Sequence, residues 1–275
     1  MARKRSSPRV DDDERENTGI VRTVVVAAKV LDALGSMRGP VRLADLARTL
    51  KMTLPRISRH VATLRSLELI EKAEPLEAYR LGTKLFVLGQ LALEQNALAR
   101  VCEPHLARLR DQVHRTVLLS TRSGDAGSVL ICVPSHDSPT IIVRPGSPLE
   151  LPTSPSARIL YTFRDRKNEA RPKSADLYLE ERVSFILANY FDYEPDARNT
   201  GIGSIAAPVF DHEDRLVGVI AIVMPTTMLA AGPDTVMVKA TKECAARISS
   251  AMGSTAWEGR VSVPAKHAPR TGRTG

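Results

Sequence analysis

The sequence has little cysteine, few aromatic residues and no long apolar run. Cys102, Cys132 and Cys244 are the only thiols in 275 residues, and they stand far apart with no CxxC or Cys/His ligand spacing. That excludes a disulfide scaffold and a zinc ribbon, and it reads as reduced, buried thiols in a cytoplasmic protein. Aromatics make up 4 % of the chain. No apolar stretch approaches the ~20 residues that span a bilayer, so no membrane partner is expected. The start, "MARKRSSPRVDDDERENTG", is charged at once and lacks the apolar centre of a secretory signal. Missing too are GxSxG, HExxH, P-loop and GxGxxG patterns, and His105, His114, His136 and His212 are scattered. No catalytic residue, cofactor or metal is expected. "DHED" at 211–214 reads as a solvated hairpin turn, and "DDDE" at 11–14 as part of an unstructured tail.

What is present is an uneven excess of positive charge. The net charge is +8, yet residues 98–253 hold eighteen bases and eighteen acids. Residues 23–84 hold eleven bases against six acids, and 254–275 four against one. A basic module joined to a neutral one suggests a polyanion binder attached to a second function. Residues 1–19 and 254–275 are expected to be disordered, leaving 20–82 as a first domain, 83–97 as a linker helix and 98–253 as a second domain.

Along the first domain, Val26, Val30, Ala33 and Leu34 mark an amphipathic helix ended by Gly39-Pro40, and Leu43, Leu46, Ala47 and Leu50 mark a second. "LPRISRHVATLRSL" (54–67) is a third, with Pro55 tolerated in its first turn. "LIEK" and "AYRL" flank a turn and form a small hairpin. Helix, helix, turn, helix and wing describe a winged helix-turn-helix. On the third helix Ile57, Val61 and Leu64 share one side, with Leu54 close by, and that side is expected to pack inward. Pro55, Arg56, Arg59, Ala62 and Thr63 fall opposite. Arginine is the usual bidentate reader of guanine edges, so Arg56, Arg59 and Thr63 are candidate readers. Lys51, Thr53, Ser58, Arg65 and the wing residue Lys72 are candidates for phosphate or supporting contacts. An alternative reading has the winged helix mediating protein contacts.

The leucine-containing segment 83–96 reads as a connector helix. Beyond it come a helix at 100–113, strands at 116–121 and 128–134, and "TIIVR" (140–144) as a third strand. A helix starts near Ser154, another covers 180–191, strands at 204–210 and 216–224 follow, and a last helix covers 235–252. The chain is therefore an α+β two-domain protein.

The order of "LADLA", "ATLRSLELI", "YRLG", "CEPHLARLRDQV", "GIGSIAAPVFDHEDRLVGVIAIVMP" and "AARISSAMG" resembles IclR-type bacterial transcription regulators over residues ~20–253. The resemblance implies a winged helix, a linker helix and a GAF-like effector-binding domain. It also implies homodimers or homotetramers on palindromic double-stranded DNA operators, paired through the winged-helix and linker region and controlled by a small organic acid. Two recognition helices would enter major grooves about 34 Å apart. The family's effector positions map here onto Leu151, Thr153, Ser154, Ala157, Arg158, Ser204, Ala221 and Val223. The sequence departs from the pattern at several of them. "GSPLELPTSPSAR" (146–158) carries Glu150 for the usual proline, Pro152 for histidine, Pro155 for alanine and Ala157 for glycine. Ser204 replaces a cysteine, and Ala221 and Val223 replace serines. Several polar contacts have become apolar, which favours an aromatic or partly apolar acid over a tiny hydrated one, the rival reading being a degenerate pocket that binds nothing.

Overall fold

The computed structural model describes residues 21–37, 39–123, 126–164, 177–196, 201–229 and 232–261. The expected disorder at 1–19 lies outside them. The chain divides into two compact units, with the break at residues 93 and 94.

The first unit opens with α1 (Arg22–Ser36), β1 (Val41–Arg42), α2 (Leu43–Thr49) and α3 (Leu54–Ser66), followed by the wing strands β2 (Ile70–Ala73) and β3 (Ala78–Leu81). The three strands pair antiparallel in the order β1-β3-β2. Val30, Ala33 and Leu34 of α1, Leu46 and Ala47 of α2, and Ile57, Val61 and Leu64 of α3 bury together with Val41 and Ile70. The 3.6-residue period of the sequence therefore becomes the core of this unit. Leu54 does not join it. It is 49 % exposed, because it starts α3 one turn before the buried stripe and reaches past the helices that cover that stripe.

The "YRLG" stretch has a physical cause. Tyr79 packs on the core, and Arg80 pairs with Glu71 across the wing at 3.2 Å. The Gly82 N–H donates to the Leu69 carbonyl, and a Cβ on Gly82 would stand 2.3 Å from the Glu68 carbonyl oxygen. Only glycine tolerates that approach. Next comes α4 (Thr83–Gln95), whose start is capped by Glu71. The Glu71 carboxylate accepts from the Thr83 backbone N–H at 2.8 Å and its hydroxyl at 2.9 Å. The same two bonds, the backbone one first, hold its pKa below the usual carboxylate value.

The second unit contains α5 (Ala97–Val113), β4 (Thr116–Ser123), β5 (Ala126–Val133), β6 (Pro148–Leu149), α6 (Pro155–Thr162), α7 (Leu177–Asn189), β7 (Asp192–Glu194), β8 (Ile202–Phe210), β9 (Leu216–Pro225) and α8 (Thr235–Ala251). The six strands form one antiparallel sheet in the order β6-β5-β4-β9-β8-β7. Helices α5 and α8 cover one face, whose core includes Leu106, Val117, Ile205, Ile222 and Ile248. Helix α6 covers the other, over Leu118, Ala206, Ala221 and Val223. The two-residue alternation along β8 and β9 sends successive side chains to opposite faces.

Two expectations need correction. Residues 140–144 form no strand. Ile141 and Val143 pack on the core beneath α6 while Ile142 is 68 % exposed, and the Ile141 carbonyl accepts from the Thr116 hydroxyl instead of a neighbouring strand. The alternation is real, but the ladder is missing. Nor is the C-terminal stretch disordered from 254 onward. Asp214, in the "DHED" turn, accepts from the Ser254 hydroxyl at 2.6 Å and from the backbone N–H groups of Thr255 and Ala256. Trp257 is buried, donates its indole N–H to the Pro208 carbonyl at 3.1 Å and meets Tyr190 edge-on. The remainder, 262–275, lies outside the described residues.

Candidate DNA interface and effector region

Helix α3 starts after Thr53, whose side chain makes no capping hydrogen bond, and its first turn holds no acid. Lys51, Thr53, Arg56, Ser58, Arg59, Thr63 and Arg65 are all exposed, and the Thr63 hydroxyl donates to the Arg59 carbonyl at 3.0 Å. The ion pairs described in this unit are Arg48–Asp45, Lys72–Glu77 and Arg80–Glu71. None takes up the charge of α3. Lys72 differs from the other candidates, because its ammonium sits 2.6 Å from Glu77, and that hydrogen bond raises its pKa. Arg56, Arg59 and Thr63 share an open hollow of about 360 Å³ with Arg22, Thr23 and His60. His60 had a signal in the sequence, since it follows Arg56 by four residues on the same stripe. Arg22 and Thr23 had none, because their place depends on how α1 crosses α3.

In the second unit the effector candidates separate. Ser154 caps α6 by accepting from the Ala157 N–H at 3.3 Å. Ala157, Ala221 and Val223 are buried, while Leu151, Thr153, Ser154 and Ser204 are half-buried. Ser204 pairs with Val223, and Ala206 with Ala221, which puts Ser204, Ala221 and Val223 on the α6 face. Arg158 is fully buried and occupied by the protein. Its Nε donates to Asp192 Oδ2 at 2.5 Å, Nη1 to the Pro152 carbonyl at 2.6 Å and Glu194 Oε2 at 3.1 Å, and Nη2 to the Tyr193 carbonyl at 3.0 Å. Arg182, also buried, donates to the other oxygen of Asp192, and Tyr178 donates its hydroxyl to Glu194 at 3.1 Å. Burial opposes the charge on Arg158, and the Asp192 carboxylate more than restores it, holding the guanidinium pKa above its ordinary value. The network draws on Arg182, Asp192 and Glu194, none of which the sequence marked as partners of Arg158.

Val223 also lines a hollow of about 210 Å³ with Ile141, Pro225 and Met228 as apolar walls and His114, Arg115 and Asp137 among its polar lining. The Arg115 Nε is buried and has no hydrogen-bond partner among the described residues. Cys102 and Cys244 are buried in the α5–α8 core, and burial pushes both thiols up to about 12, so neither is a ready nucleophile. Among the described residues no cluster of His, Cys, Asp or Glu fits a metal, and no helix is long and apolar enough to cross a membrane.

Residues 23–74 match the IclR helix-turn-helix domain. The chain is 24 % identical over 265 residues to the HTH-type transcriptional regulator BhcR of Paracoccus denitrificans, covering 91 % of this chain and 95 % of that one. Among solved structures, an IclR transcriptional regulator from Alicyclobacillus acidocaldarius superposes with a TM-score of 0.73 at 21 % identity, over 86 % of this chain and 100 % of that one. An IclR homologue from Microbacterium hydrocarbonoxydans, complexed with 4-hydroxybenzoate, gives 0.67 at 18 % identity, over 84 % and 98 %. At such identities the structural likeness speaks for the fold.

Proposed function

We propose that this chain, which belongs to the IclR family of DNA-binding transcriptional regulators, binds a palindromic operator as a homo-oligomer and answers to a partly apolar or aromatic organic acid. The observation that carries the reading is the exposed, acid-free basic side of α3 on a winged helix-turn-helix. Such a helix enters the major groove, where arginine reads base edges and neighbouring cations hold phosphates. The effector domain is two-sided, and its α6 face carries alanine and valine at the altered positions. Its hollow beside Val223 offers apolar walls to a ring and, in the Arg115 guanidinium that stands 3.9 Å from Asp137, a cation to an acid group. The neighbour that holds 4-hydroxybenzoate supports an acid of this kind. Arg158, already occupied, serves as structure rather than as the effector's cation. Because occupancy and operator affinity are linked, DNA changes effector affinity by the same factor that effector changes DNA affinity.

One titration tests both halves. The full chain, followed by fluorescence anisotropy on a duplex it selects from a random pool, should lose about 10³-fold or more in affinity between about 50 and 200 mM salt. Aromatic acids should shift that affinity, whereas glyoxylate and pyruvate should not. A flat salt response removes the DNA reading and favours a protein-binding winged helix. A response to glyoxylate or pyruvate alone removes the apolar-effector reading.

The partner copy is assigned to α4. None of its residues is buried, and Phe86, Val87, Leu88 and Leu91 are 46–67 % exposed. Large apolar side chains left bare around a helix call for a covering surface, and a second α4 supplies one through a two-fold axis. Leu88→Glu with Leu91→Glu should sediment as a monomer and lose its preference for a palindrome over a half-site. An unchanged sedimentation coefficient would place the interface elsewhere.

A further inference from the structure

We propose that the hollow between α1 and α3 is a seat for one DNA backbone phosphate, gripped by Arg56 with Arg22 and His60, and that Arg56 is not a base reader. The inference rests on the DNA-binding reading and refines it. Every lining side chain, from Arg22, Thr23, Arg56, Arg59, His60 and Thr63, carries a hydrogen-bond donor, and among the described residues no carboxylate joins them. The ion pairs described in this unit leave Arg22, Arg56 and Arg59 out. Three guanidiniums around one hollow repel one another until an anion enters, and a guanidinium fork suits phosphate oxygens.

The angular order along α3 separates gripping from reading. At about 100° per residue, Arg59 lies within ~15° of the direction opposite the buried stripe of Ile57, Val61 and Leu64. Arg56 and Thr63 stand about 105–125° from that stripe and His60 about 65°, all toward the same flank. The shared hollow shows that this is the flank on which α1 presents Arg22 and Thr23. A side chain directly opposite the core meets the floor of a groove, and one displaced to the flank meets its wall, which is phosphate. Arg59 therefore borders the seat but points past it, whereas Arg56 points across it toward α1.

The test compares full-length wild type with Arg22→Ala, Arg56→Ala and Arg56→Lys on the selected duplex and on a scrambled one. Arg22→Ala and Arg56→Ala should each weaken both duplexes by the same factor and flatten the log–log salt slope, the two together by about 0.9, the share of one phosphate. Arg56→Lys should keep the slope, since lysine keeps the cation at that place. A fresh selection with Arg56→Ala should return the wild-type base preference. Loss of preference at one operator position with an unchanged slope would assign Arg56 to a base and overturn the seat. Unchanged slopes in both alanine variants overturn it too, with the wild-type slope showing that DNA binding itself stands. A wild type with neither slope nor preference removes the DNA reading, and the seat falls with it.

Discussion

Replacing Asp192 with alanine should lower the melting temperature of the second unit by about 10 °C, taking ~3–5 kcal/mol for a broken buried pair and ~2–4 °C per kcal/mol for a domain of this size. Asp192 has no exposed surface, and it holds Arg158 with one oxygen and Arg182 with the other. Without it Arg158 retains Glu194 and two carbonyls, while Arg182 retains the Tyr193 carbonyl at 3.5 Å. A buried guanidinium stays charged at any ordinary pH, so the penalty is not relieved by deprotonation. Stability margins of ~5–15 kcal/mol leave little room for such a loss. The double variant Asp192→Ala with Arg182→Met should recover part of it, because it removes the uncompensated charge along with its partner. Thermal unfolding followed by circular dichroism decides. A shift of only a degree or two, or a double variant worse than the single, would show that water reaches the network and solvates it.

The second large effect falls on Arg59. Arg59→Ala should weaken binding to the selected duplex by about 5- to 150-fold, the ~1–3 kcal/mol of a lost bidentate base contact. It should leave the scrambled duplex nearly as before. Lys51→Ala is the contrast. Lys51 precedes α3 with a left-handed backbone (φ 52°) and an exposed side chain. Its loss should weaken both duplexes about equally and lower the salt slope by about 1. Equal behaviour of the two variants would mean that α3 grips the backbone and reads nothing.

The winged helix was legible in the sequence because most of its core follows helical periodicity. Ile57, Val61 and Leu64 sit where the 3.6-residue period puts them, and the wing announces itself through two short apolar runs around a turn. Leu54 shows the limit of periodicity. It has the right angle and no partner, because burial also needs a neighbour at the same height along the helix. The second unit was legible as elements, less so as a site. Charged residues on a sequence read as solvated surface, yet Arg158, Arg182 and Asp192 are among the most buried residues of the protein. Arg158 meets Asp192 and Glu194 across 34 and 36 residues of chain, through a three-residue strand too short to carry a pattern. Residues 140–144 erred in the opposite direction, because alternating burial predicts a face and not a hydrogen-bonded neighbour.

Trp257 is the one tryptophan in the chain. Its indole is buried against Tyr190 and tied to the Pro208 carbonyl on β8. Intrinsic emission excited at the red edge of the protein spectrum therefore comes from a single clock-face of the second unit, shielded from water while that unit is folded. The winged helix contributes no indole, so it would unfold without moving the emission maximum. Fluorescence and circular dichroism recorded on one sample would thus time the melting of the two halves separately, with no label attached to either.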